Sequence, residues 1–177
     1  IPILSAYVAQ KYGDQDLAVV SPDAGRIKVA ERWSARLGGV PLAFIHKTRR
    51  EDRPNETVAN RVVGEVEGRL CILVDDMIDT GRTLALASKT LEAAGAKRIF
   101  AISTHGLLSG RAVDLIARTQ IEKLVVTNTI SNTEKAAQSN GKIEVIDMSA
   151  VMGETIRRAH HGESISTMFR QDAEIMF

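Results

Sequence analysis

The sequence predicts an α/β domain built as a doubly wound, mostly parallel sheet, and three features predict it. Short apolar, β-branched runs alternate with segments of helical period along the chain. Glycines stand where several helical segments stop, as at Gly38, Gly39 and Gly95. An acidic pair closes the run from Leu70 to Val74, at the carboxyl end of a strand, where open parallel sheets bind their ligands.

Taken in order, the opening IPILSAYVAQKYG reads as an amphipathic helix and Leu17 to Ser21 as the first strand. A helix from about Arg26 to Leu37 follows, then a second strand from Pro41 to His46. Lys47 to Glu56, KTRREDRPNE, has no apolar periodicity and is expected to be an exposed loop. Arg61 to Val66 and Leu70 to Val74 are separated by Glu67 and Gly68, which suggests an antiparallel hairpin. The segment Thr83 to Ala94 carries Leu84, Ala87, Leu91 and Ala94 on one stripe, the mark of a helix packed on a sheet. Strands are expected at Ile99 to Thr104, Leu124 to Thr129 and Ile143 to Asp147, with helices near Gly110 to Arg118 and Ala150 to His161.

Composition limits the partners. A chain of 177 residues with 44% hydrophobic content suits one domain with a sizeable core. Lys and Arg total 23 against 22 Asp and Glu, so there is no excess charge to hold a nucleic acid by counterion release. No apolar run approaches the roughly 20 residues of a membrane helix, so no membrane partner is expected. A single cysteine, Cys71, allows neither an internal disulfide nor a cysteine-based metal cluster, and a cytoplasmic location is the expectation. The first residue is Ile1 rather than Met, which suggests that the chain begins inside something longer.

The chemistry concentrates in LVDDMIDTGRT, Leu73 to Thr83. Asp75 and Asp76 at a strand end must be solvated, metal-bound or bonded to hydroxyls. A vicinal diol offers the donors that ionised carboxylates accept, and Mg²⁺ could share them through water. Asp79, Thr80, Gly81, Arg82 and Thr83 form the turn into the next helix, and Gly81 lets backbone approach a ligand closely. Unpaired N–H groups and the helix dipole at such a terminus favour a phosphate dianion. The plainer alternative is that Asp79 or Thr80 only caps the helix. Neither G-x-x-x-x-G-K-[ST] nor G-x-G-x-x-G occurs, so the motif is neither a nucleotide P-loop nor a dinucleotide fingerprint.

LVDDMIDTGRT resembles the signature for phosphoribosyl diphosphate shared by type I phosphoribosyltransferases and ribose-phosphate diphosphokinases, the PRPP synthetases. Other strings separate the two. VSPDAG, Val20 to Gly25, resembles the synthetase motif that contains a Mg²⁺ ligand, here Asp23, although Ser, Pro, Asp and Gly also suit an ordinary turn. Lys47-Thr48-Arg49 matches the K-x-R that opens the synthetases' catalytic flexible loop. Thr104-His105-Gly106, Thr127-Asn128-Thr129 and Ser164-Ile165-Ser166 resemble further synthetase landmarks in the right order, with His105 read as a strand-end histidine rather than a catalytic one.

This resemblance runs from Ile3 to near Phe169 and corresponds to the carboxyl-terminal half of a synthetase. It implies a phosphoribosyltransferase type I-like domain over residues 1–169, with a tail over residues 170–177. It also implies transfer of the diphosphoryl group of ATP to the C1 hydroxyl of ribose 5-phosphate, giving PRPP and AMP. Lys47 and Arg49 would be catalytic. Arg49, Asp75, Asp76, Asp79, Thr80, Gly81, Arg82 and Thr83 would bind ribose 5-phosphate, and Asp23 would bind Mg²⁺. The family commonly forms hexamers, so a homo-oligomer is implied. Its amino-terminal half, which supplies most of the ATP site, has no counterpart in these residues, and the chain alone is expected to be incomplete as an enzyme. Two other readings stay open: a phosphoribosyltransferase that consumes PRPP, favoured by the basic Arg82, and a non-catalytic synthetase homologue.

Overall fold

The computed structural model describes residues 1–48 and 59–169. Its seven-stranded sheet has the order β3-β2-β1-β4-β5-β6-β7. The strands are β1 (Leu17–Ser21), β2 (Leu42–Thr48), β3 (Ala59–Val63), β4 (Leu70–Ile78), β5 (Arg98–Gly106), β6 (Ile121–Thr127) and β7 (Ile143–Ile146). Every neighbouring pair is parallel except β2 with β3. The doubly wound, mostly parallel α/β fold is therefore as the alternation of elements predicts.

Both faces of the sheet are covered, and the period-two alternation of strand side chains decides which residue meets which layer. Leu4, Val8 and Tyr12 of α1 (Pro2–Tyr12) and Ala30 and Trp33 of α2 (Ile27–Arg36) pack on Val19, Ile72, Val74 and Phe100. On the opposite face, Leu84, Ala87 and Leu91 of α3 (Arg82–Ala93) meet Ala18, Val20, Cys71, Leu73 and Ala101. Ala112 and Ile116 of α4 (Ala112–Ala117) belong to that same layer. The short α5 (Thr133–Gln138) and the 13-residue α6 (Ser149–His161) follow β6 and β7. The sequence gives no sign of α5, because TEKAAQ is too short and too polar to carry an apolar stripe.

The hairpin expected between Arg61 to Val66 and Leu70 to Val74 does not form. β3 pairs antiparallel with β2, whereas β4 lies parallel between β1 and β5. Burial explains the difference. Leu70 to Val74 is buried at every position, so it belongs at the sheet's centre with a layer on each face. β3 exposes Arg61 and Val63 and suits an edge.

β4 also runs four residues beyond the expected end at Val74. Asp75, Met77 and Ile78 continue the ladder opposite Ser103, His105 and Gly106 of β5. The acidic pair is thus held in a strand rather than in the turn that follows.

Among the described residues no helix is long and apolar enough to cross a membrane. Residues 170–177, expected to form a tail, lie outside the described residues.

Cys71, the second residue of β4, has no exposed surface, and burial pushes its thiol up to about 12. The native chain is therefore expected to be inert to a thiol-reactive dye at pH 8 and to release one equivalent per chain in denaturant. Rapid labelling without denaturant would contradict this packing.

Candidate functional site

β1 lies between β2 and β4, so the connections leaving the carboxyl ends of β1 and β4 diverge around one crevice. Such a switch point is where open α/β sheets place their ligands. The turn after β1 is VSPDAG. Ser21 Oγ donates to the Asp23 carbonyl at 2.6 Å, and the Gly25 N–H donates to Asp23 Oδ1 at 2.9 Å. Asp23 thus shapes its own turn, as the plainer reading of S-P-D-A-G expects, and keeps a second carboxylate oxygen for other partners.

The same turn delivers a residue that the motifs did not single out. Arg26 closes the short 3-10 turn Ala24–Arg26 and reaches across to β4. Its Nη1 donates to Asp76 Oδ2 at 2.5 Å, and its Nε lies 4.0 Å from Asp75 Oδ1. The sequence shows only a cation directly after VSPDAG; its link to the acidic pair comes from the sheet order, which sets β1 beside β4.

The two carboxylates differ. The backbone N–H of Asp76 donates to Asp75 Oδ1 at 2.8 Å. Burial, with the neighbouring Asp76 carboxyl, nevertheless pushes the Asp75 carboxyl up to about 6. For Asp76 burial also opposes ionisation, but the hydrogen bond and charge of Arg26 outweigh it and hold this carboxyl below its ordinary value. Well above pH 6 both groups are ionised and act only as acceptors.

Four residues beyond Asp75 the chain turns. Asp79 and Thr80 are exposed, while Gly81 is buried as the N-cap of α3 with φ +73°. Three hydrogen bonds from the segment after β5 fix this turn, Leu107 N–H and Leu108 N–H to Ile78 O at 2.9 and 3.1 Å and Ser109 N–H to Asp79 O at 3.0 Å. Among the described residues no side chain caps α3. The simple capping role open to Asp79 or Thr80 is therefore not used, and the first-turn N–H groups of this 12-residue helix are left to face the crevice or solvent. Arg82 and Thr83, exposed on that first turn, flank them.

Lys47 is the penultimate residue of β2, its backbone opposite Asn60 of β3. Because β2 runs parallel to β1, Lys47 reaches the same edge of the sheet as Asp23 and the acidic pair. Its side chain and all of Arg49 lie outside the described residues. His105 and Thr127, at the ends of β5 and β6, also reach this edge. His105 Nδ1 is 2.9 Å from Thr129 Oγ1, which suits a strand-end histidine held by a hydroxyl.

Among the described residues no three His, Cys, Asp or Glu side chains gather as a metal site. A hard cation that takes only one or two carboxylates and fills its shell with water and phosphate oxygens does not need such a group. The free oxygen of Asp23 fits a Mg²⁺ ion on those terms.

Fold and site together define a doubly wound, mostly parallel α/β domain with a carboxylate pair and, among the described residues, an uncapped helix N-terminus at its switch point. Residues 51–170 match the family model for the phosphoribosyl synthetase-associated domain, and the chain belongs to that family. It is 43% identical over 171 residues to the ribose-phosphate pyrophosphokinase of Mycobacterium leprae, covering 97% of this chain and 52% of that protein. It is 44% identical over 171 residues to the enzyme of that name from Bifidobacterium longum, covering 96% and 50%. The crystal structure of phosphoribosylpyrophosphate synthetase from Mycobacterium smegmatis superposes with a TM-score of 0.80 at 43% identity, over 90% of this chain and 50% of that one. The chain thus spans about half the length of the curated relatives it matches.

Proposed function

We propose that the chain carries the ribose 5-phosphate site and catalytic loop of a ribose-phosphate diphosphokinase. The whole enzyme would move the β,γ-diphosphoryl group of ATP onto the C1 hydroxyl of ribose 5-phosphate, giving PRPP and AMP for nucleotide synthesis. One observation carries this reading: a single strand-turn-helix unit offers two carboxylate acceptors and, five residues beyond Asp76, a helix N-terminus that no side chain caps among the described residues. Acceptors suit a sugar diol, and free N–H groups suit a phosphate dianion.

In this reading Asp79, Thr80, Gly81, Arg82 and Thr83 hold the 5-phosphate, and Asp75 and Asp76 accept from the ribose hydroxyls. Arg49 anchors the sugar phosphate, so that the C1 hydroxyl lies in line with the β-phosphorus. Lys47 brings positive charge to the diphosphoryl group as AMP leaves. Asp23 holds Mg²⁺, which when bound neutralises triphosphate charge. No covalent intermediate on the protein is required. A homo-oligomer in the cytoplasm completes the proposal, on the strength of the resemblance.

Calorimetry tests the sugar-phosphate site directly. Ribose 5-phosphate is expected to bind this chain more tightly than either inorganic phosphate or ribose. Equal affinity for ribose 5-phosphate and inorganic phosphate would sink the assignment of a diol site. Arg82 favours the transferase alternative, and incubation with PRPP and a panel of nucleobases decides it, since only a transferase forms a nucleotide and pyrophosphate.

A further inference from the structure

We infer that Arg26 is a positioning residue for the sugar diol: it holds Asp76 in place as an acceptor, and so sets the preference for ribose 5-phosphate over its deoxy analogues. The inference rests on the ribose 5-phosphate reading above and assigns a role to a residue outside the motifs that suggested it.

The two carboxylates of β4 are oriented by different donors. Asp75 is held locally, by the N–H of the next residue. Asp76 receives its side-chain hydrogen bond from Arg26, 50 residues away in sequence and on another element. The guanidinium also stands within ion-pair distance of Asp75, so one cation spans both acids.

A purely structural role fits Arg26 poorly. Its side chain is 40% exposed, and it makes no capping hydrogen bond to α2. That helix is fastened by Ala30 and Trp33 in the layer beneath. An ion pair this exposed contributes little to folding.

What Arg26 does supply is orientation and charge. Two adjacent carboxylates without a cation repel, and one of them tends to take up a proton. A protonated carboxyl donates where a sugar hydroxyl needs an acceptor, and Asp76 without a partner is free to rotate away. A guanidinium is suited to prevent both, because it is always charged and its N–H groups are fixed in a plane. Using a single N–H on Asp76 Oδ2, it leaves Oδ1 for a hydroxyl.

The test is a calorimetric comparison of three ligands, ribose 5-phosphate, 2-deoxyribose 5-phosphate and 3-deoxyribose 5-phosphate, on the full 177-residue chain. The wild-type chain is expected to prefer ribose 5-phosphate to both analogues. Arg26→Ala is expected to weaken ribose 5-phosphate about tenfold, the scale of one hydrogen bond to a charged group, and to leave the analogue that lacks the hydroxyl facing Asp76 unchanged. The preference over that analogue then disappears. Arg26→Lys, which keeps the charge but not the planar fork, should restore part of it, and the melting temperature of both variants should stay near that of the wild type.

A uniform loss across the three ligands would make Arg26 a general structural or electrostatic support and overturn the inference. So would an unchanged preference in Arg26→Ala. If the wild-type chain does not discriminate among the three ligands at all, the diol reading itself has failed, and the inference falls with it. Discrimination retained in both proteins removes the role of Arg26 alone.

Discussion

Replacing Lys47 by alanine is expected to lower turnover in the full-length enzyme by about 10²–10³-fold, the usual cost of removing one donor that stabilises transition-state charge, while ribose 5-phosphate affinity stays nearly unchanged. The asymmetry follows from placement. Lys47 comes at the end of β2, on one flank of β1, whereas the carboxylates and the α3 terminus belong to β4 on the other flank. A residue on the β2 side that meets the diphosphoryl group only as it transfers contributes to kcat and not to ground-state binding of the sugar. Steady-state kinetics with both substrates varied separates the two parameters. Turnover at the wild-type level would remove Lys47 from the catalytic assignment, and a parallel rise in KM for ribose 5-phosphate would make it a binding residue.

The sheet and most of the site's parts were legible in the sequence because each has a local signature. Leu70 to Val74 is apolar at five successive positions, as suits a strand buried on both faces, and that strand is the centre of the sheet. The stripe of Leu84, Ala87 and Leu91 marked the inner side of α3, and all three are buried. What stayed hidden depends on partners far along the chain. Nothing near Ala59 to Val63 says that its neighbour is β2 rather than β4, since strand pairing is decided by the whole sheet. The extension of β4 to Ile78 needs β5 beside it. Arg26 is the clearest case: it stood in the sequence as the first residue of a helix, and only the placing of β1 next to β4 brings it to Asp76.

Gly81→Val is expected to remove most of the ribose 5-phosphate affinity, and inorganic phosphate affinity with it, because it strikes the backbone on which an anion would rest. Gly81 has φ +73°, a conformation that a β-branched residue adopts only at a cost of about 1–3 kcal/mol. Space is short as well. A Cβ at this position would sit 3.3 Å from Ile116 Cγ1 and 3.4 Å from Ile116 Cδ1, so the Ile116 side chain must give by a few tenths of an ångström or the turn must shift, and the γ-methyl groups of valine add to the crowding. A shifted turn redirects the first-turn N–H groups of α3, and loss of even one such bond to a phosphate is worth about tenfold in affinity. Gly81→Ala separates the two causes: it keeps the close contact and some of the backbone strain but adds no γ-methyl groups, so its melting temperature should fall less and its affinity should lie between wild type and valine. Thermal melts and calorimetry on both variants make the comparison. Wild-type affinity in Gly81→Val, with melting lowered, would show that the turn from Ile78 to Arg82 serves the fold and that the phosphate is held elsewhere.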